Sequence, residues 1–159
     1  TAAHSTVRID GQDQSEVWAS HRVGRRARRV WAGTEEGTVA AAHDGYGRLP
    51  GRPVHERRVS VTESGLIIVD SFEGAGDHDI ESFLHLHPDC AASVDDRDIL
   101  VTRDGRGVAR VSPPEGVDIR VVEGTWHRSF HTSVPNRRIE IQTQRALPTS
   151  LETAISWLD

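Results

Sequence analysis

Arg57-Arg58-Val59-Ser60-Val61-Thr62-Glu63-Ser64-Gly65-Leu66-Ile67-Ile68-Val69-Asp70 is the stretch that decides the fold. Two short runs rich in Val and Ile flank a polar turn ending in Gly, and β-branched side chains suit a pleated, half-buried surface. If Glu63-Ser64 form a two-residue turn, Thr62 faces Gly65 and the register pairs Arg57 with Asp70. His55 then falls on the same face as Asp70, on a diagonal of about 7–8 Å between backbones. A slip of one residue would turn the two sets to opposite faces.

The same grammar recurs on both sides of this hairpin. Thr38–His43 runs into Asp44-Gly45, and Ile80–His87 stops at Pro88. Asp98–Thr102 and Val108–Val111 flank a loop containing Asp104-Gly105, a strong hairpin signal. Val117–Val122 and Trp126–Thr132 flank Glu123-Gly124-Thr125, and Arg137–Gln144 and Thr153–Leu158 follow. Short strands at roughly 8–12-residue spacing, with no helix-period run, predict an all-β fold, an antiparallel multi-strand β-sandwich with little helix. The 159 residues are enough for one domain with a real core, spanning 1–159.

Composition limits the function classes. The formal charge of -5 argues against a general nucleic-acid binder. No apolar run approaches the ~20 residues of a membrane-spanning helix. The chain contains no Met, so it is read as a piece of a longer protein. Cys90 is the only cysteine, which excludes an intrachain disulfide and a thiolate cluster.

All 19 basic residues are Arg. A GC-rich genome explains that, and so does a preference for carboxylate and sulfate groups on an acidic sugar polymer. In an extended strand Arg26 and Arg28 would share one face and Arg25 and Arg29 the other, the pattern of a solvated edge rather than a binding stripe. The four Trp, at 18, 31, 126 and 157, read as core or rim indoles, with a glycan groove as the alternative.

Histidine is the enriched chemical residue, at nine. With Ile80–His87 as a strand, Leu84 and Leu86 take the core face, and Phe83, His85 and His87 the other. Two histidines so placed can share a metal or line a cleft, or be separate polar residues on a wet face. Asp70 closes an apolar run, where a buried carboxylate needs a partner. A His/Asp/His set is suited to Zn²⁺; the alternative is an Asp satisfied by Arg57 or by backbone amides. His43 and Tyr46, at a strand end and its turn, have the chemistry of acid–base groups and equally of ordinary loop residues.

Several of these segments resemble one family in order. Thr1 to Ser15, with His4 and Ser5, is similar to the stretch that leads into the β-domain of heparinase II/III-like and related alginate lyases. His43-Asp44-Gly45-Tyr46, His55-Glu56-Arg57-Arg58, Val69-Asp70-Ser71-Phe72 and Leu84-His85-Leu86-His87-Pro88 resemble its later blocks. Relatives commonly carry Asn where Ser5 stands, so no amide role is carried over to that position.

The resemblance implies the C-terminal β-sandwich of a lyase that cleaves uronic-acid-containing polysaccharides, of heparan, alginate or capsule type, by β-elimination. Its partners would be an acidic polysaccharide and an N-terminal helical toroid of the same protein, which carries the principal catalytic tyrosine. By itself the chain is expected to be inactive. A structural Zn²⁺ is implied, with His55, Asp70 and one of His85 or His87 as ligands, His87 preferred. His43 is the candidate catalytic group, and His4, Tyr46, Arg57 and His85 are the candidate substrate contacts. A carbohydrate-binding or purely bracing sandwich is the competing expectation.

Overall fold

The computed structural model describes residues 1–19, 22–129 and 131–158, and among them every regular element is a strand. In chain order these are β1 (Val7–Ile9), β2 (Val17–Ala19), β3 (Arg22–Val23), β4 (Arg29–Glu35), β5 (Thr38–His43), β6 (Val54–Thr62), β7 (Gly65–His85), β8 (Cys90–Asp95), β9 (Asp98–Arg103), β10 (Arg106–Ser112), β11 (Asp118–Trp126) and β12 (Val134–Trp157). All pairings are antiparallel.

The main path runs β4-β5-β6-β7-β12-β10-β9-β8, with β1 added beside β7 and β11 beside β12. The long strands β7 and β12 serve both layers of the sandwich. Their Gly65–Phe72 and Thr149–Ser156 portions pair in the first layer; Gly76–His85 and Arg138–Leu147 pair in the second, flanked by β1 and β11. The ladder breaks between Leu147 and Thr149, where Pro148 has no N–H to give. Ile68, Ile99, Val101, Val111, Ile139 and Ile141 fill the space between the layers, and a second cluster gathers Val7, Tyr46, Phe72, Ile80 and Leu151.

The central hairpin has the register expected of a tight turn: Thr62 pairs with Gly65, and Arg57 with Asp70. Other boundaries differ from the sequence reading for physical reasons. Glu123-Gly124-Thr125 is not a turn but the interior of β11, where Gly124 pairs with Asn136. A Cβ on Gly124 would meet the Asn136 amide oxygen at 2.7 Å, so glycine here allows close approach rather than a bend. The residues from 127 onward, read as strand to Thr132, instead form the connection to β12, and Phe130 lies outside the described residues.

The Ile80–His87 strand ends two residues early, at His85. Its second face is not wet: Phe83 is buried, with the guanidiniums of Arg8 and Arg138 at 5.5 and 5.1 Å from its ring centroid. Nor does any tryptophan enter the core; Trp18, Trp31 and Trp157 are exposed and Trp126 is half-buried. The arginine run also departs from expectation, because residues 24–28 form no strand and do not alternate.

Candidate functional site

Pairing of β5 with β6 sets His43 opposite His55, and pairing of β6 with β7 sets His55 opposite Phe72 and Arg57 opposite Asp70. These side chains share one face of three neighbouring strands and form a continuous chain of hydrogen bonds. His55 Nε2 lies 2.7 Å from Asp70 Oδ1, and its Nδ1 lies 3.3 Å from His43 Nε2. The Gly45 N–H donates to His43 Nδ1 at 3.2 Å. Arg57 grips Asp70 from the other side, donating from Nε to Oδ1 and from Nη2 to Oδ2, both at 2.7 Å.

The partners assign the protons. His43 Nδ1 accepts from a backbone amide, so its proton is on Nε2 and donates to His55 Nδ1. His55 therefore carries its own proton on Nε2, aimed at the carboxylate. Both rings are neutral in this arrangement. Burial, with the neighbouring His55 adding to it, pushes the His43 pKa down to about 4. Burial by itself would raise Asp70, but the hydrogen bonds from His55 and Arg57 hold its carboxyl below the ordinary carboxylate range. His55 and Asp70 are 2% and 3% exposed, and Phe72 stacks on the His55 ring at 5.1 Å. His55 and Asp70 thus form a fully hydrogen-bonded polar inclusion in the core, with His43 at its edge.

The other sequence candidates fall at different places. Tyr46 is fully buried, 5.6 Å from the His43 ring, and its hydroxyl donates to the Val7 carbonyl at 2.5 Å. Burial raises its pKa, so the phenol stays protonated. Tyr46→Phe should destabilise the chain by about 1–3 kcal/mol by orphaning that carbonyl, measured as a lower denaturation midpoint with an unchanged slope.

Arg57 also donates to the Ser5 carbonyl and to Ser82 Oγ, which leaves it little capacity for an external ligand. His85 is half-buried, with Nε2 3.0 Å from the Ala2 carbonyl, and lines an open cleft with Arg138 and Ala2. His4 is exposed. His87 lies beyond the end of β7 in a turn, where its Nδ1 is 3.4 Å from Asp89 and its ring meets Trp126 at 5.2 Å.

The zinc set can be tested on this geometry. His55 and Asp70 meet, but His87 is not with them, and both Asp70 oxygens already receive hydrogen bonds from Arg57. Among the described residues no three His, Cys, Asp or Glu side chains form a metal-binding cluster. Neither His87 nor His85, whose Nε2 lies against the Ala2 carbonyl, completes a zinc site with His55 and Asp70 as placed.

Sequence reasoning missed the pairing of His43 with His55, and also the cleft above it. That cleft, of about 670 Å³, is lined by Gly24, Arg25, Arg26, Ala27, Arg28, Asp44, Gly45 and Arg48. The Arg28 N–H donates to Asp44 Oδ1, and the Asp44 N–H to the Arg28 carbonyl, which ties the arginine segment to the turn that follows His43. The available signal was the density of arginine in residues 25–29; its irregular backbone was not legible.

Comparison with known proteins places the chain by family and fold. The family model for the heparinase II/III-like C-terminal domain matches residues 1–158. The chain belongs to that family. Solved structures agree on the fold at low identity. A mutant of the heparan sulfate lyase HepC from Pedobacter heparinus superposes with a TM-score of 0.72 at 14% identity, over 99% of this chain and 24% of that one. A heparinase III superposes with a TM-score of 0.66 at 16% identity, again over 99% and 24%. A 4-alpha-glucanotransferase from Thermococcus litoralis shares the fold more distantly, with a TM-score of 0.57 at 9% identity, over 84% of this chain and 23% of that one. No curated protein matches. The chain thus spans about a quarter of the length of the heparinases it resembles. The glucanotransferase shows that the sandwich by itself does not specify the chemistry.

Proposed function

We propose that this chain is the β-sandwich part of a polysaccharide lyase that acts on a uronic-acid-containing polymer. Membership of the heparinase II/III-like family over residues 1–158 carries the reading. In β-elimination a base takes the C5 proton of the uronate, the C4–O bond breaks as the C4–C5 double bond forms, and the departing oxygen is protonated. The described residues favour a supporting role in that reaction. Both ring nitrogens of His43 are occupied inside the fold, and the Tyr46 hydroxyl is buried. Proton removal and leaving-group protonation need groups positioned together, and this part would supply a wall of the cleft rather than that pair.

The test is an assay of the whole protein and of the 159-residue chain on heparan-like, alginate-like and capsular polymers, following the ultraviolet absorbance of the unsaturated uronate. The whole protein should cleave one of these classes and the chain none. Inactivity of the whole protein on every uronate polymer would remove the lyase reading. A non-catalytic glycan-binding role would then stand, for which the arginine-lined cleft is the favouring observation.

A further inference from the structure

The cleft lined by Arg25, Arg26, Arg28 and Arg48 is a strongly basic concavity on a chain whose formal charge is -5. Its volume of about 670 Å³ is within the range of ordinary ligand sites, roughly 300–1,000 Å³. Arg48 is committed to the fold, because it donates to the Gly45 and Asp13 carbonyls and is 3.7 Å from Glu16. The guanidiniums of Arg25, Arg26 and Arg28 take part in none of the ion pairs or side-chain hydrogen bonds of the described residues.

The acidic groups near the cleft are few and engaged. Asp44 accepts the Arg28 amide, and Glu16, beside Gly24, pairs with Arg48. Arg25, Arg26 and Arg28 face only the Asp44 carboxylate within the cleft lining, so the cleft keeps a net positive charge that a polyanionic ligand would offset.

The rim adds an aromatic surface. The Trp18 indole is 72% exposed and lies against Gly24, where a Cβ would come within 2.8 Å of the ring. Any larger residue at 24 would push the indole out of this position. An exposed indole against Gly24, at the edge of an arginine-lined cleft, offers a sugar an apolar platform next to planar donors matched to oxyanions. The floor is firm: the turn at Asp44-Gly45 is fastened to His43, and His43 to the buried His55 and Asp70.

We propose that this cleft is a binding subsite for a sulfated sugar residue, with Arg25, Arg26 and Arg28 taking the anionic groups and Trp18 the ring. Sulfate esters added to a uronate polymer raise its charge above one per uronate, which suits three unpaired guanidiniums better than a single carboxylate does. The assignment rests on the lyase reading for its sugar, but its test does not.

The experiment measures binding of the whole protein to a heparan sulfate oligosaccharide and to its chemically desulfated counterpart, at two salt concentrations. Arg25→Gln/Arg26→Gln/Arg28→Gln is compared with Arg97→Gln/Arg103→Gln/Arg106→Gln, which removes the same charge at the far hairpins, and Trp18→Ala is measured alongside. Wild type should prefer the sulfated probe. The cleft variant should lose at least about tenfold in affinity for it and most of that preference, since a tenfold loss corresponds to about 1.4 kcal/mol. Trp18→Ala should weaken both probes alike, and the far variant should change by less than about threefold.

Equal loss in the two triple variants would mean a general charge effect and overturn the site. Equal loss of both probes in the cleft variant would make the uronate carboxylate the recognised group and overturn the sulfate assignment. If the whole protein cleaves uronate polymers while the cleft variant keeps wild-type affinity and turnover, the subsite fails and the lyase reading stands. If binding depends on the three arginines but no polymer is cleaved, the reverse holds.

Discussion

Asp70→Ala should destabilise the chain by about 3–5 kcal/mol, the usual result of removing one partner of a buried ion pair. For a chain of this size that corresponds to a fall in Tm of roughly 6–20 °C. The reason lies in what is left behind. Without the carboxylate, Arg57, whose side chain is 16% exposed, loses its bidentate partner and keeps only neutral acceptors at Ser5 and Ser82. The His55 Nε2–H, 2% exposed at the side chain, loses its acceptor as well.

Arg57→Met should cost a similar amount by stranding the carboxylate. The double variant Arg57→Met/Asp70→Leu should recover much of the loss, because two apolar side chains leave no buried charge. Thermal melts of the four proteins close the cycle. Single variants melting within about 1 °C of wild type would show that the pair does not hold these strands together. The same melts bear on the metal: a chelator that lowers the wild-type Tm but leaves Asp70→Ala unaffected would put an ion at Asp70 in place of Arg57.

The part of this network read from sequence was the part set by local chain geometry. A two-residue turn at Glu63-Ser64 leaves no freedom in the pairing beyond it, so Arg57 opposite Asp70 follows from counting. His43 opposite His55 did not follow, because residues 44–53 form a long connection that imposes no register. His87 was misjudged because alternation assumes that the strand continues, and it stops at His85, where the chain turns toward β8.

The wetness of the Phe83 face was misread for a different reason. Arg8 from β1 and Arg138 from β12 cover it, and both are remote in sequence. The arginine cleft belongs to this second class. Arg25, Arg26 and Arg28 are near neighbours in sequence, but the path of their backbone, and so the cleft they share with Arg48, depends on hydrogen bonds to Ser15 and Asp44 across the fold.

Two histidines, the half-buried His43 and the buried His78, should shape the pH dependence of stability in opposite directions. His43 has its pKa pushed from an ordinary 6.5 down to about 4, chiefly by burial. Between those values the unfolded ring binds a proton that the folded ring refuses, so stability rises with pH across the window. With allowance for the partial exposure of the group, the amplitude is on the order of 2–3 kcal/mol. Asp70, held below its ordinary value, contributes stability that is fully present above the ordinary carboxylate range and is lost only as pH falls through its lower folded value.

His78 is the counterpart. Its Nδ1 is 2.8 Å from Asp10 Oδ2 and its Nε2 is 3.1 Å from the Ala75 carbonyl, both of them acceptors, so the ring carries two protons. Burial opposes that charge, but the hydrogen bond to Asp10 outweighs it with help from Ala75, and the pKa is raised. The folded state therefore binds the extra proton, and this stabilisation is complete below an ordinary 6.5 and lost as pH rises through the folded value. Stability should form a dome over near-neutral pH, with His43 shaping the acid limb and His78 the alkaline limb. Denaturant midpoints across the acid and alkaline limbs test it. His43→Gln should flatten the limb between about 4 and 6.5 and leave the other limb alone, while His78→Gln should do the reverse. Wild-type curvature in both variants would show that neither ring titrates as its hydrogen bonds require.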